Sequence, residues 1–125
     1  MTKKEVIFFD AGAYGPYVKC ELINGQLESE YGDFHGDKML DLKVKSNEVK
    51  IISFWKKMDE INVWNWNKTY NDEMAITDGF TWEIKLRNRD GKSKYSSGYE
   101  KYPRNYKKFI TSINKLFEIK IDFWD

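Results

Sequence analysis

Phe80-Thr81-Trp82-Glu83-Ile84-Lys85-Leu86-Arg87 is followed by Asp90-Gly91, then Ser97-Gly98-Tyr99, then Tyr102-Pro103-Arg104-Asn105-Tyr106. Phe80, Trp82, Ile84 and Leu86 alternate with Thr81, Glu83, Lys85 and Arg87, so one face of a strand is wholly apolar. Asp90-Gly91 predicts a two-residue hairpin loop. That loop sets Leu86 opposite Tyr95 and Trp82 opposite Tyr99, an aromatic ladder on the buried side. Gly98 is expected to let the second strand bend or bulge as it leaves the sheet. Pro103 suits the first turn of a helix, where its missing amide hydrogen has no intrahelical role. Beyond it Tyr106, Phe109, Ile110, Ile113, Leu116 and Phe117 form one stripe at helical period, so this helix must cover a sheet face.

Upstream, Val63, Trp64, Trp66 and Tyr70 read as a further strand, with a loop through Asn71-Asp72-Glu73. Trp64 and Trp66 would share one side of it, as core rings or as an exposed anchor pair for a protein partner. Val6-Ile7-Phe8-Phe9, ended by Asp10-Ala11-Gly12, reads as a first, fully buried strand, and Tyr14-Gly15-Pro16 as a turn. Tyr17 to Tyr31 forms a hairpin around Asn24-Gly25, since both residues accept the positive dihedrals of a type I′ loop. Its register places Leu22 opposite Leu27, Cys20 opposite Ser29 and Val18 opposite Tyr31 on one face. On the other face Lys19 meets Glu30, and Glu21 meets Glu28 in mild repulsion.

Leu40, Leu42 and Val44 alternate with Asp41, Lys43 and Lys45 as in a half-buried strand. Ser46 is the expected N-cap of a helix to about Glu60, with Ile51 or Ile52, Trp55 and Met58 inward; the β-branched Val49, Ile51 and Ile52 leave open a start only at Ser53. The tail Ile119 to Asp125 alternates again, as a last strand or as rings packed on the surface. The 125 residues are expected to form a single α+β domain. It would hold a mainly antiparallel sheet of about six or seven strands and two helices, the C-terminal one packed on a sheet face.

The net charge of +1 conceals two blocks. Glu5, Asp10, Glu21, Glu28, Glu30, Asp33, Asp37 and Asp41 outnumber Lys19 and Lys38 in the first. Lys85, Arg87, Arg89, Lys92, Lys94, Lys101, Arg104, Lys107 and Lys108 outnumber Asp90 and Glu100 in the second. If the fold separates them, the surface has an acidic and a basic side.

Cys20 is the only cysteine, which rules out an intramolecular disulfide and fits a reducing compartment. The apolar run after Met1-Thr2-Lys3-Lys4 is too short for a signal peptide or a membrane span, so a cytoplasmic protein without membrane contact is expected. Asp33-x-His35-x-Asp37 is the only cluster with the look of metal ligands, and it lacks a fourth donor. A nucleophile needs a nearby base, and His35 is the only histidine. No catalytic residue, metal or cofactor is therefore predicted.

Phe54-Trp55, Val63-Trp64-Asn65-Trp66, Tyr70, Asp78-Gly79-x-x-Trp82, Ser97-Gly98-Tyr99 and Tyr102-Pro103-x-Asn105-Tyr106-x-x-Phe109 resemble a pattern of small, uncharacterised bacterial proteins. Such proteins look like those found beside toxin or defence genes, many of which act as immunity proteins or inhibitors. The resemblance covers about the second half of the chain and carries no catalytic residue across. It implies a cytoplasmic, non-enzymatic inhibitor that occludes a partner toxin. For a basic toxin the binding residues would be Glu28, Glu30, Asp33 and Asp37. The alternatives are a single-stranded nucleic-acid binder using Lys92, Lys94, Lys101, Arg104, Lys107 and Lys108 among tyrosines, or a metal-dependent enzyme.

Overall fold

The computed structural model describes residues 5–13, 16–33, 35, 37–71 and 80–121. Along the chain lie β1 (Val6–Gly12), β2 (Tyr17–Ile23), β3 (Gln26–Gly32), β4 (Lys38–Lys45), α1 (Glu48–Glu60), a 3-10 turn (Val63–Asn65), β5 (Thr69–Asn71), β6 (Thr81–Arg87), β7 (Ser93–Tyr99) and α2 (Tyr106–Phe117). The seven strands form one sheet in the order β4-β3-β2-β1-β6-β7-β5. Every neighbouring pair is antiparallel except β5 and β7. This is the expected α+β architecture.

The β2–β3 hairpin adopts the register read from Asn24-Gly25, including Leu22 with Leu27, Cys20 with Ser29 and Val18 with Tyr31. β1 is central but not buried on both sides. Ile7, Phe9 and Ala11 are buried while Val6, Phe8 and Asp10 are half-buried, because the helices cover only one face. In β4, Leu42 and Val44 pack partly against the core while Asp41, Lys43 and Lys45 are exposed.

Helix α1 starts one residue later than its sequence signal. Asn47, not Ser46, is the N-cap, and its side-chain oxygen accepts from the amides of Val49 and Lys50 at 2.9 and 3.3 Å. The amide of Ser46 is already engaged by the carbonyl of Gly25. Ile51 turns inward with Phe54, Trp55 and Met58, leaving Ile52 exposed.

The strand expected from Val63 to Tyr70 is mostly absent. Asn62 takes the left-handed conformation at φ 58° and a single 3-10 turn follows. Three-residue spacing, not alternation, then puts Val63 and Trp66 together in the core. Trp64 lies half-buried against Trp55, with 6.1 Å between ring centroids, and its indole donates to Asp59 at 2.8 Å. Neither tryptophan is an exposed anchor. Within this segment strand pairing is confined to Thr69–Asn71, which lies beside β7.

The β6–β7 register is displaced by one residue from the two-residue expectation. Trp82 pairs with Gly98, Lys85 with Tyr95 and Leu86 with Lys94. Asn88 is the cause: its amide donates to Lys92 O, and its side-chain oxygen accepts from the amides of Asp90 and Lys92. A turn from Asn88 to Gly91 with Gly91 at φ 86° gives the three-residue loop that ends in a left-handed glycine. The shift moves Tyr95 and Tyr99 off the buried face and brings in Ser96 and Gly98, so no tyrosine ladder forms there.

Gly98 stays in the ladder instead of bending out of it. A Cβ at this position would lie 2.4 Å from the Trp82 indole nitrogen and 2.7 Å from Lys101 O, so the ring crosses directly over bare backbone. The indole then donates to Lys101 O at 2.8 Å.

Pro103 sits in the turn before α2, where its carbonyl accepts the Tyr106 amide at 3.2 Å. The stripe Tyr106, Phe109, Ile110, Ile113, Leu116 and Phe117 is buried throughout. Phe109 meets Phe9 and Trp66 edge-on at 5.6 Å, and Tyr106 packs on Trp82 at 5.2 Å, so α2 closes the core over the sheet. Asn114 anchors the tail by bonding both the amide and the carbonyl of Ile121. No last strand forms through 119–121, where Ile119 and Ile121 are buried. Tyr14-Gly15, Asp72-Glu73, Asp78-Gly79 and Phe123-Trp124-Asp125 lie outside the described residues.

Candidate functional site

Side chains alternate across a strand, so the strands that fill the core with one set of residues present the other set on the opposite face. Among the described residues no helix packs on that second face. The register lines up Asp41, Glu30, Lys19, Asp10 and Glu83 across five neighbouring strands. Beside them run Lys43, Glu28, Glu21, Phe8, Lys85 and Tyr95. The open face is therefore a grid of charges, with the Phe8 ring on the central strand β1 and the Tyr95 ring two strands away on β7.

Strand order sets most of the two charge blocks apart, because β2, β3 and β4 lie on one side of β1, and β6 and β7 on the other, and the blocks meet where Arg89 pairs with Glu5 at 3.1 Å. Glu28 and Glu30 stand on the open face of β3, next to Glu21 and Asp41. Glu30 accepts the Tyr17 hydroxyl at 2.6 Å and lies 3.8 Å from Lys38. The hydrogen bond to Glu30 pushes the Tyr17 phenol up to about 12.

Asp33 and Asp37 continue the acidic strip into the β3–β4 loop, with different roles. Asp33 accepts from the amides of His35 and Asp37 at 2.9 and 3.0 Å, so its carboxylate holds the loop together. Asp37 is exposed. The Asp33, His35 and Asp37 side chains form no ligand set: among the described residues no three His, Cys, Asp or Glu side chains converge to hold a metal. Glu21 and Asp41 belong to the strip although they were not among the predicted binding residues. Their signal lay in the hairpin register and in the alternation of β4.

Nearer the centre, Asp10, Asn71, Thr81, Glu83, Tyr95 and Ser97 line a shallow polar depression of about 370 Å³. Glu83 accepts the Tyr95 hydroxyl at 2.7 Å, which raises the phenol pKa. Partial burial raises the Asp10 carboxyl above its usual range, and neighbouring Glu83 adds to the effect. Lys85 lies over the Phe8 ring at 5.2 Å.

The predicted basic set does not form one surface. Lys92 sits in the β6–β7 loop with its ammonium 5.4 Å from the Trp64 ring centre, and Lys94 falls opposite Leu86. Lys101, Arg104, Lys107 and Lys108 lie beyond the other end of β7 and on the start of α2. A seven-residue strand holds its ends about 20 Å apart. Of the interleaved tyrosines, Tyr106 is core and Tyr102 packs against Phe80 and Tyr106. Cys20 is fully buried and burial pushes its thiol up to about 12, far from a thiolate at neutral pH.

No described helix is long and apolar enough to cross a membrane. No protein-family model, curated protein or solved structure matches this chain.

Proposed function

We propose that this chain is a non-enzymatic, cytoplasmic binding protein that occludes a basic protein partner, in the manner of an immunity protein occluding its toxin. One observation carries the reading. The open sheet face gathers Glu21, Glu28, Glu30 and Asp41 from three adjacent strands, with Asp33 and Asp37 in the loop beyond, against Lys19, Lys38, Lys43 and Lys45. On the strands these acids and lysines balance, and Asp33 and Asp37 supply the carboxylate excess from a loop that Asp33 itself holds together, so the strip attracts a cationic partner over a distance and orients it. Lys43 opposite Glu28 and Lys38 near Asp41 fix the pattern of charge, so recognition depends on register as well as on sign. Affinity capture from producing cells, followed by mass spectrometry, tests this. A basic protein recovered in stoichiometric amount supports it, and nucleic acid recovered without protein overturns it.

The β6–β7 register favours a second reading. Tyr95 is 40% exposed on the open face, opposite Lys85 and near Arg87 and Phe8. Rings beside cations on a sheet stack unpaired bases. This surface replaces the dispersed Lys92-to-Lys108 set as the nucleic-acid candidate. Anisotropy of a labelled oligonucleotide at low salt decides it: absence of binding there removes the reading, and binding that weakens steeply with added salt supports it.

A further inference from the structure

The outer edge of β4 is an eight-residue strand that no described strand pairs with. Its hydrogen-bonding phase follows from the ladder. The Ser46 amide donates to Gly25 O, so Val44 and Leu42 turn their backbone groups toward β3, and Asp41, Lys43 and Lys45 turn theirs outward. The outward amides and carbonyls, which no described strand engages, therefore sit on the residues whose side chains stand on the open face.

We infer that β4 pairs antiparallel with β4 of a second copy of this chain, about a two-fold axis through Leu42. An axis perpendicular to the sheet returns each side chain to its own face, so the residue on the axis faces itself. Centring on Asp41 sets Asp41 against Asp41, and centring on Lys43 sets Lys43 against Lys43. Both are like-charge pairs that destabilise a sheet. Centring on Leu42 sets Asp41 against Lys43 of the second copy, and Lys43 against Asp41 of the second copy. These are the positions whose backbone groups point outward, so two opposite-charge contacts coincide with two doubly hydrogen-bonded pairs. Leu42 meets Leu42 on the other face, extending the partly covered apolar margin of the core. Lysines on an edge ordinarily discourage pairing with arbitrary strands. Here the same charges admit one register of one partner.

This inference does not depend on the proposed partner, and its test uses the purified chain alone. Sedimentation velocity across about micromolar to about millimolar concentration should show a monomer–dimer equilibrium. Asp41→Lys or Lys43→Asp alone should weaken dimerisation by about tenfold or more, since each makes both cross-strand pairs like-charged. Asp41→Lys combined with Lys43→Asp should restore it, and so should an equimolar mixture of the two single variants, which pairs only as a heterodimer. A wild type that stays monomeric throughout overturns the inference. So do single variants that dimerise as the wild type does, or a mixture that remains monomeric. Both side chains are exposed, and Lys43→Asp exchanges one surface contact with Glu28 for a mild repulsion, a change too small to unfold the chain.

Discussion

On β6, Trp82, Ile84 and Leu86 are buried beneath the helices, while Glu83, Lys85 and Arg87 on the same strand meet Asp10, Phe8 and the margin of β7 on the open face. The covered face is specified by shape. Trp82 lies over Gly98, donates to Lys101 O and touches Trp66, Tyr70 and Tyr106. The open face is specified by charge, through exposed or half-buried pairs that individually contribute little to stability. One strand thus serves two purposes, and substitutions on its two sides should separate folding from binding.

The largest effect is expected from Trp82→Ala. Removing a ring that is 2% exposed, together with its hydrogen bond, should cost about 3–5 kcal/mol in denaturant unfolding. Gly98→Ala should follow at about 1–3 kcal/mol, because the added methyl meets both the Trp82 ring and the fixed carbonyl of Lys101. Loss of less than half a kcal/mol in that variant would mean that the ring does not bear on Gly98.

The smallest effect lies on the open face and has a sign. The folded state raises the Asp10 pKa, chiefly by partial burial and then through Glu83. Protonated Asp10 is therefore favoured by folding, so its contribution is fully present below the ordinary aspartate pKa and is lost as pH rises through the higher folded value. Asp10→Asn should make the unfolding midpoint at neutral pH slightly higher than wild type and flatten its decline across the carboxylate range. A steeper decline in the variant would contradict the assignment.

The covered face was largely legible in the sequence. The α2 stripe is buried residue for residue, and the β2–β3 register follows from Asn24-Gly25, because an unbroken period and an unambiguous loop leave one arrangement. Two parts were not legible. Trp64-Asn65-Trp66 alternates like a strand, yet left-handed Asn62 sends the chain into a turn in which Val63 and Trp66 are the buried pair. Asp90-Gly91 has the form of a two-residue loop, and the Asn88 side chain widens it by binding two backbone amides. In both places a side-chain or backbone choice at an asparagine, invisible to periodicity, decides the register. The candidate site shared in this. Glu28 and Glu30 follow from the legible hairpin, whereas the outward turn of Tyr95 follows from the slipped one. Asp33 fell between, an acid that the sequence places in the polar loop and whose carboxylate holds that loop together.

The division of labour between the faces is tested most directly by capturing partners from producing cells with three chains of matched thermal stability. These are the wild type, an open-face variant with Glu28→Lys and Asp37→Lys, and a helix-face variant with Lys107→Glu and Lys108→Glu. The account predicts that the wild type and the helix-face variant retain the same basic protein and that the open-face variant loses it. Retention by the open-face variant, with loss by the helix-face variant, would contradict it.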